Sequence, residues 1–327
     1  MADPRSAQIL VALYGPTSSG KTKLSVDLAH LLRQRFGRET VVIAADSRQV
    51  YRYMNIGTSK TTPQQMRGIR HELIDVAEPA RKLELQEYSA LARAQIARCF
   101  AAGAIPLIVG GTGIYVKALL EGWDVEGAGP VRDSLRRDFP RGMIGDAHSM
   151  LRRLDRDLAD RVHANNYEAI INALAAVMAP GQRAARTTAA GASQVLLGLD
   201  PGPRRLDAAV VATYDEQIRR GLVTEIAELA ARYDLDREYG RHGADSLNQV
   251  LHTHGYREYF EAASDRGKTV DRLNDRDLAD VRSAVTDHIR QYTRRQRSWF
   301  RKLPAARMVN DAEQALRAIA GPRSGSR

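Results

Sequence analysis

Gly15-Pro16-Thr17-Ser18-Ser19-Gly20-Lys21-Thr22 is the stretch that decides how this chain folds and which ligand class it holds. It follows the apolar run Ile9–Tyr14, which reads as a buried strand, and precedes Leu24, Leu28 and Leu31 at helical spacing. Strand, G-x-x-x-x-G-K-T and helix, in that order, make a phosphate-binding P-loop. Its glycines let backbone N–H groups turn inward around a polyphosphate, and the helix N-terminus adds a positive dipole end. All eight residues are expected at a diphosphate or triphosphate, with Lys21 reaching a terminal phosphate and Thr22 holding Mg²⁺. The competing reading is a glycine-rich turn without a ligand.

Outward from this loop the strand–helix alternation continues. Val41–Ala45 is a β-rich run ending at Asp46, residues 85–102 carry an amphipathic helical pattern, and Ile105–Val109 is a further buried strand. It ends in Gly110-Gly111-Thr112-Gly113 and a helix through Leu120. The expected class is α/β: a doubly wound, mainly parallel P-loop sheet with a small inserted helical domain and a helical C-terminal region. Ligands of such sheets bind at the carboxyl ends of strands, where Asp46 and Thr112 fall. The catalytic core is assigned to 1–125 and 195–315, the helical insertion to 126–194, and a disordered tail to 316–327. Within the insertion, Gly127–Pro130 reads as a linker, 131–163 as arginine-rich helix, Asn166–Met178 as a second helix and 182–194 as a loose loop. A strand is expected from Val195 to Leu199.

A hydrophobic content of 43% over 327 residues supports a substantial core. No apolar run approaches the roughly 20 residues of a membrane span, and the first residues lack a signal-peptide layout. The single cysteine, Cys99, excludes an internal disulfide and a multi-cysteine zinc site. A cytoplasmic monomer with no membrane partner is expected. The net charge of +10 points to an anionic partner larger than one diphosphate, nucleic acid first.

P-loop NTPases and kinases usually carry a second strand ending in an acid that helps hold Mg²⁺. Here the strand before Gly110 ends without one, and the strand-end carboxylate is Asp46, followed by Ser47-Arg48-Gln49-Val50-Tyr51. Further on come Ile56-Gly57-Thr58-Ser59-Lys60, His71–Asp75 and Val109–Tyr115. Near the C-terminus stand Gly221-Leu222-Val223, Gly255-Tyr256-Arg257-Glu258, and Arg290–Gln296 with Trp299-Phe300-Arg301. This ordered set resembles the tRNA dimethylallyltransferase (tRNA isopentenyltransferase) family over roughly 300 residues, by its motifs G-P-T-x-S-G-K-T, D-S-x-Q-V-Y-R, I-G-T-x-K, H-x-L-I-D, V-G-G-T-x-x-Y, G-Y-[KR]-E and R-Q-Y-x-[KR]-R-Q-x-x-W-F.

The resemblance implies transfer of a dimethylallyl group from its diphosphate to N6 of the adenosine 3′ to the anticodon in tRNA. The P-loop then holds a prenyl diphosphate. An exocyclic adenine amine is a poor nucleophile, so a carboxylate must orient it and take its proton, the role assigned to Asp46. Lys21, Thr22 with Mg²⁺, and Thr112 complete the catalytic set. Asp46, Ser47, Arg48, Gln49 and Thr112 are assigned to the acceptor base, extruded from the anticodon loop. Arg132, Arg257, Arg290, Arg294, Arg297 and Arg301 are assigned to tRNA. The last four recur every three or four residues and are expected to share one helical face with no acid nearby. His252 and His254, with His242 upstream, show no acidic or cysteine partner at ligand spacing and read as packing or surface residues.

The chain departs from the resembled pattern at Ala169 and Asn172, and at Ala209 and Thr213, where arginines are expected. Arg48 stands at a usually neutral position, and Glu72 where a second histidine is frequent. Two readings stay open beside tRNA modification: prenylation of a smaller adenine-type or other acceptor, and a P-loop kinase or nucleotide-dependent RNA-binding protein.

Overall fold

The computed structural model describes residues 8–120, 128–178, 192–301, 303 and 306–321. Strand β1 (Ile9–Tyr14) leads through the P-loop into helix α1 (Lys21–Phe36). Then follow β2 (Thr40–Ala44), the single turn α2 (Pro63–Met66), β3 (Arg70–Glu72), α3 (Leu85–Ala101), β4 (Ile105–Gly110) and α4 (Gly113–Leu120). Four helices come next: α5 (Ala128–Asp138), α6 (Ile144–Leu154), α7 (Arg156–Arg161) and α8 (Tyr167–Met178). Strand β5 (Ser193–Gly198) precedes α9 (Pro203–Arg219), α10 (Leu222–Tyr233), α11 (Leu235–His242), α12 (Arg257–Asp265) and α13 (Asp275–Phe300). β6 (Arg307–Met308) and α14 (Ala312–Ala320) close the chain.

The six strands form one parallel sheet in the order β3-β2-β4-β1-β5-β6. Parallel pairing places the carboxyl ends of β1, β2 and β4 side by side, so the P-loop, the Asp46 turn and the Gly110–Thr112 turn emerge together. The buried strands read as continuous apolar runs because helices cover both faces. On one face Val11, Leu13, Leu24, Leu28, Leu32 and Leu197 build a core. α14 packs onto it through Leu316 and Ile319, with Asp311 capping its first turn (Gln314 N–H to Oδ1, 2.7 Å). The tail expected from 316 is therefore helical through Ala320, and 322–327 lie outside the described residues. Its apolar period is too short to stand out against a polar surrounding sequence.

The chain divides into two compact units: one around the sheet, the other holding α5–α8 with the first turn of α3 and the end of α4. The helical unit has its own core of Leu135, Leu151, Tyr167, Ile170, Ile171 and Leu174. The Tyr167 hydroxyl donates to the Phe139 carbonyl at 2.7 Å. Three expectations are corrected here. Residues 128–130 open α5 rather than forming a linker, because proline is tolerated in a first helical turn. The arginine-rich stretch is three helices, since Pro140 and the N-cap of Asp155 (to Leu158 N–H, 2.8 Å) interrupt it. Ser193 and Gln194, assigned to a loop, already pair with β1; the rest of that loop to residue 191 lies outside the described residues. Among the described residues no helix is long and apolar enough to cross a membrane.

Candidate active site

The P-loop wraps the start of α1. Gly20 holds φ +91°, a left-handed conformation that only glycine adopts freely, and this turns the following amides into the loop. The first N–H groups of α1 have no intrahelical acceptor and supply the donor set an anion needs. Ser18 Oγ and Ser19 Oγ are buried there with no protein partner. Lys21 Nζ donates to the Pro16 carbonyl at 2.6 Å. Burial pulls its pKa down to about 8, and the Asp46 carboxylate nearby opposes that fall. Thr22 lines the same cavity. An unpartnered serine pair, an ammonium and a threonine hydroxyl fit a diphosphate with Mg²⁺.

Asp46 follows β2. Its Oδ1 accepts from Arg48 N–H (2.8 Å) and Gln49 N–H (3.4 Å), which fixes the carboxylate at the mouth of the turn. Thr112 acts one layer behind. Its Oγ1 accepts from Ser47 N–H (2.9 Å) and donates to Ser47 Oγ (3.2 Å), bracing the turn that carries Asp46. Gln49 reaches the carbonyls of Thr58 and Ser59 at 3.3 Å each, and Arg48 reaches Gln249 Oε1 at 3.2 Å.

The Ile56–Lys60 segment is held by residues that sequence reasoning passed over. Glu225 of α10, itself buried, accepts from the N–H groups of Asn55 (2.9 Å), Ile56 (2.8 Å) and Gly57 (3.1 Å), and from the Tyr256 hydroxyl (2.7 Å). Gln217 donates to Gly57 O (3.1 Å) and Ser59 Oγ (2.9 Å). A Cβ on Gly57 would stand 2.4 Å from the Tyr256 ring, so the two glycine motifs are one packed contact. Buried Lys60 donates to Tyr51 O (2.6 Å), Asn55 Oδ1 (2.9 Å) and Asp75 Oδ1 (2.5 Å). Gln296 of α13 accepts from Thr17 N–H (2.9 Å) and donates to Gly111 O (2.7 Å), tying the P-loop to the turn after β4.

A cavity of about 760 Å³ joins the P-loop, the Asp46 turn and the Gly57–Ser59 segment. Thr17 through Thr22, Asp46, Arg48 and Gln49 line it. Gly15 and Pro16 border instead a separate cleft of about 60 Å³ with Asp200 and Arg297. Helix α9 contributes part of the large cavity's wall, where Ala209 and Thr213 present small side chains. Arg220, Tyr292 and Arg295 also line it. Their signal in the sequence was faint, since Tyr292 and Arg295 sit inside a run of basic residues whose facing could not be assigned one by one.

The expected basic face of α13 is only partly present. Arg294 and Arg301 are exposed. Arg297 is turned inward, its Nε 2.9 Å from both carboxylate oxygens of Asp200, which lies 97 residues away in sequence. Arg290 pairs with Asp287 at 3.1 Å and Arg257 with Glu261 at 2.9 Å. Arg132 is bonded to Gln86 and, at 3.3 Å, to Asn172. The histidine reading also changes. His254 has an acidic partner four residues on, because Glu258 in the first turn of α12 faces both His254 and His288.

The profile of the IPP transferase family matches residues 49–303, and that of isopentenyl transferase matches residues 8–84. A tRNA dimethylallyltransferase of Picosynechococcus is 31% identical, the match covering 95% of this chain and 98% of that protein. One of Koribacter versatilis is 34% identical over 94% of each. The crystal structure of a tRNA isopentenylpyrophosphate transferase from Bacillus halodurans superposes with TM-score 0.60 at 29% identity, covering 93% of this chain and 90% of that one. The chain belongs to the IPP transferase family of prenyltransferases.

Proposed function

We propose that this enzyme transfers a dimethylallyl group from dimethylallyl diphosphate to N6 of the adenosine 3′-adjacent to the anticodon in tRNA. One observation carries the reading: the Asp46 carboxylate and the P-loop line the same cavity, close enough for Asp46 to oppose the fall in the Lys21 pKa. The names of the relatives supply the acceptor class. In the step itself the N6 lone pair attacks C1 of the prenyl group and the C1–O bond to the diphosphate breaks. The N6 proton passes to Asp46, whose Oδ1 is held by two backbone N–H groups, leaving Oδ2 to accept it. Diphosphate departs into the amides of the first turn of α1 and the Lys21 ammonium, which stabilise charge where it develops. Thr22 would hold Mg²⁺, which would supply positive charge to the leaving diphosphate. Ser47 and Thr112 keep the Asp46 turn in place rather than touching substrate. Arg294 and Arg301 contact the tRNA backbone.

The test incubates purified protein with labelled dimethylallyl diphosphate and either unmodified tRNA or AMP. Label in tRNA at the expected adenosine is the anticipated result. Label only in AMP would transfer the assignment to a small acceptor, in keeping with the small residues Ala209 and Thr213 in the cavity wall. Turnover of ATP without prenyl transfer would overturn it in favour of a kinase.

A further inference from the structure

His254, Glu258 and His288 converge outside the P-loop machinery. Their ligating atoms lie within 4.8 Å of one another. Glu258 Oε1 is 3.1 Å from His254 Nδ1 and 2.8 Å from His288 Nδ1. Its other oxygen accepts the Gly255 N–H at 2.8 Å, which fixes the carboxylate plane. The Glu258 side chain is fully buried at 0% exposure, whereas the two imidazoles are 25% and 32% exposed. A buried carboxylate needs a compensating cation, since burying an unpaired charge is costly. Among the described residues its ion-pair partners are these two imidazoles, both neutral in the form that ligates a metal.

We propose that this triad is a binding site for a transition-metal dication of the Zn²⁺ class. Two imidazole nitrogens and one carboxylate oxygen are a borderline donor set that suits Zn²⁺ over Mg²⁺. With metal–ligand bonds of about 2.0–2.2 Å, neighbouring donors of a tetrahedral site stand roughly 3.3–3.6 Å apart. The observed 3.1 and 2.8 Å reach that by opening roughly 0.2–0.8 Å, with all three ligating atoms already within 4.8 Å of one another. The ligands come from the loop before α12, its first turn and the middle of α13, so metal would cross-link two helices that pack together. His254 also lines the large cavity, which gives the fourth coordination position access to solvent and to ligands held there. Its ligands are not the residue that would hold Mg²⁺, Thr22, and its donor set suits a different ion.

The decisive substitution is His254→Gln. Glutamine still offers an N–H donor to Glu258, so a purely hydrogen-bonded triad would survive, whereas an imidazole ligand is lost. Full-length protein freed of metal by chelation is titrated with Co²⁺ in excess Mg²⁺, following visible d–d absorption, and Zn²⁺ is then added as competitor. The expected result is one equivalent of Co²⁺ in a low-symmetry N/O spectrum, displaced by Zn²⁺, with Zn²⁺ raising the melting temperature. His254→Gln should weaken Zn²⁺ binding by more than about 100-fold, beyond what loss of an outer-shell partner costs. Its metal-free melting temperature should stay near that of the parent. Failure of the parent protein to take up a stoichiometric ion, or equal uptake by His254→Gln, would overturn the site. Prenyl transfer is not read in this experiment, so it stands or falls apart from the proposed reaction.

Discussion

Two loops of this protein gather backbone N–H groups, and they differ in who supplies the anion. The segment at 55–57 points its amides at Glu225, a carboxylate from the chain itself. The P-loop instead leaves the first-turn amides of α1, with two unpartnered serine hydroxyls, facing the cavity. The first arrangement is a filled anion hole and gives rigidity. Among the described residues the second has no such internal acceptor for its serine hydroxyls, and in the proposed function it gives binding. Where the acceptor comes from, rather than how the amides are arranged, separates a structural nest from a ligand site.

Amide replacement of the carboxylate beside each loop breaks the comparison most sharply. Asp46→Asn should lower kcat by about 10²–10⁴-fold, the usual worth of a general base, with dimethylallyl diphosphate affinity and melting temperature nearly unchanged. Single-turnover kinetics with a parallel binding titration check this. Loss of affinity with retained turnover would remove Asp46 from the proton-transfer role. Glu225→Gln should do the reverse. One acceptor oxygen must serve donors that now use two, so stability in urea should fall by about 2–4 kcal/mol. The remaining folded fraction should retain its diphosphate affinity. Lys21→Met comes next: losing a charge-assisted contact of about 1.5–3 kcal/mol should weaken diphosphate binding roughly 10–100-fold, measured calorimetrically. Stability should hold or rise, because the replaced ammonium is already desolvated.

What could be read in advance follows sequence distance. The P-loop and the strand-end position of Asp46 were legible because strand, turn and helix are contiguous and each has a local signature. The sheet edges were not: β3 is three residues long and β6 two, shorter than any period can mark. Thr112 stood out as a strand-end residue, but its bond to Ser47, 65 residues away, could not be inferred from a turn threonine. Glu225 lies 169 residues from Ile56, and Gln296 lies 279 from Thr17, so their roles exist only in the fold. The inward turn of Arg297 belongs with these, since helical spacing tells which residues share a stripe but not where an acid from another element will draw one of them in.

That arginine extends the amide comparison to cations, and with the smallest effect. Arg297 has its anion inside the protein, at Asp200. Arg294 is 64% exposed, with Asp207 at the loose distance of 3.8 Å. Only the second is placed to exchange a weak internal partner for a phosphate. Arg294→Ala should therefore lower the slope of log Kd for tRNA against log salt by about 0.7–0.9, the change expected for one phosphate contact. Arg297→Ala should leave that slope unaltered and lower the melting temperature, because it strands a half-buried carboxylate. Salt titrations of the two variants against the same tRNA, alongside thermal unfolding, separate them. Equal slopes for Arg294→Ala and the parent would mean that exposure on α13 is not tRNA contact, and would move the docking face to another surface of the molecule.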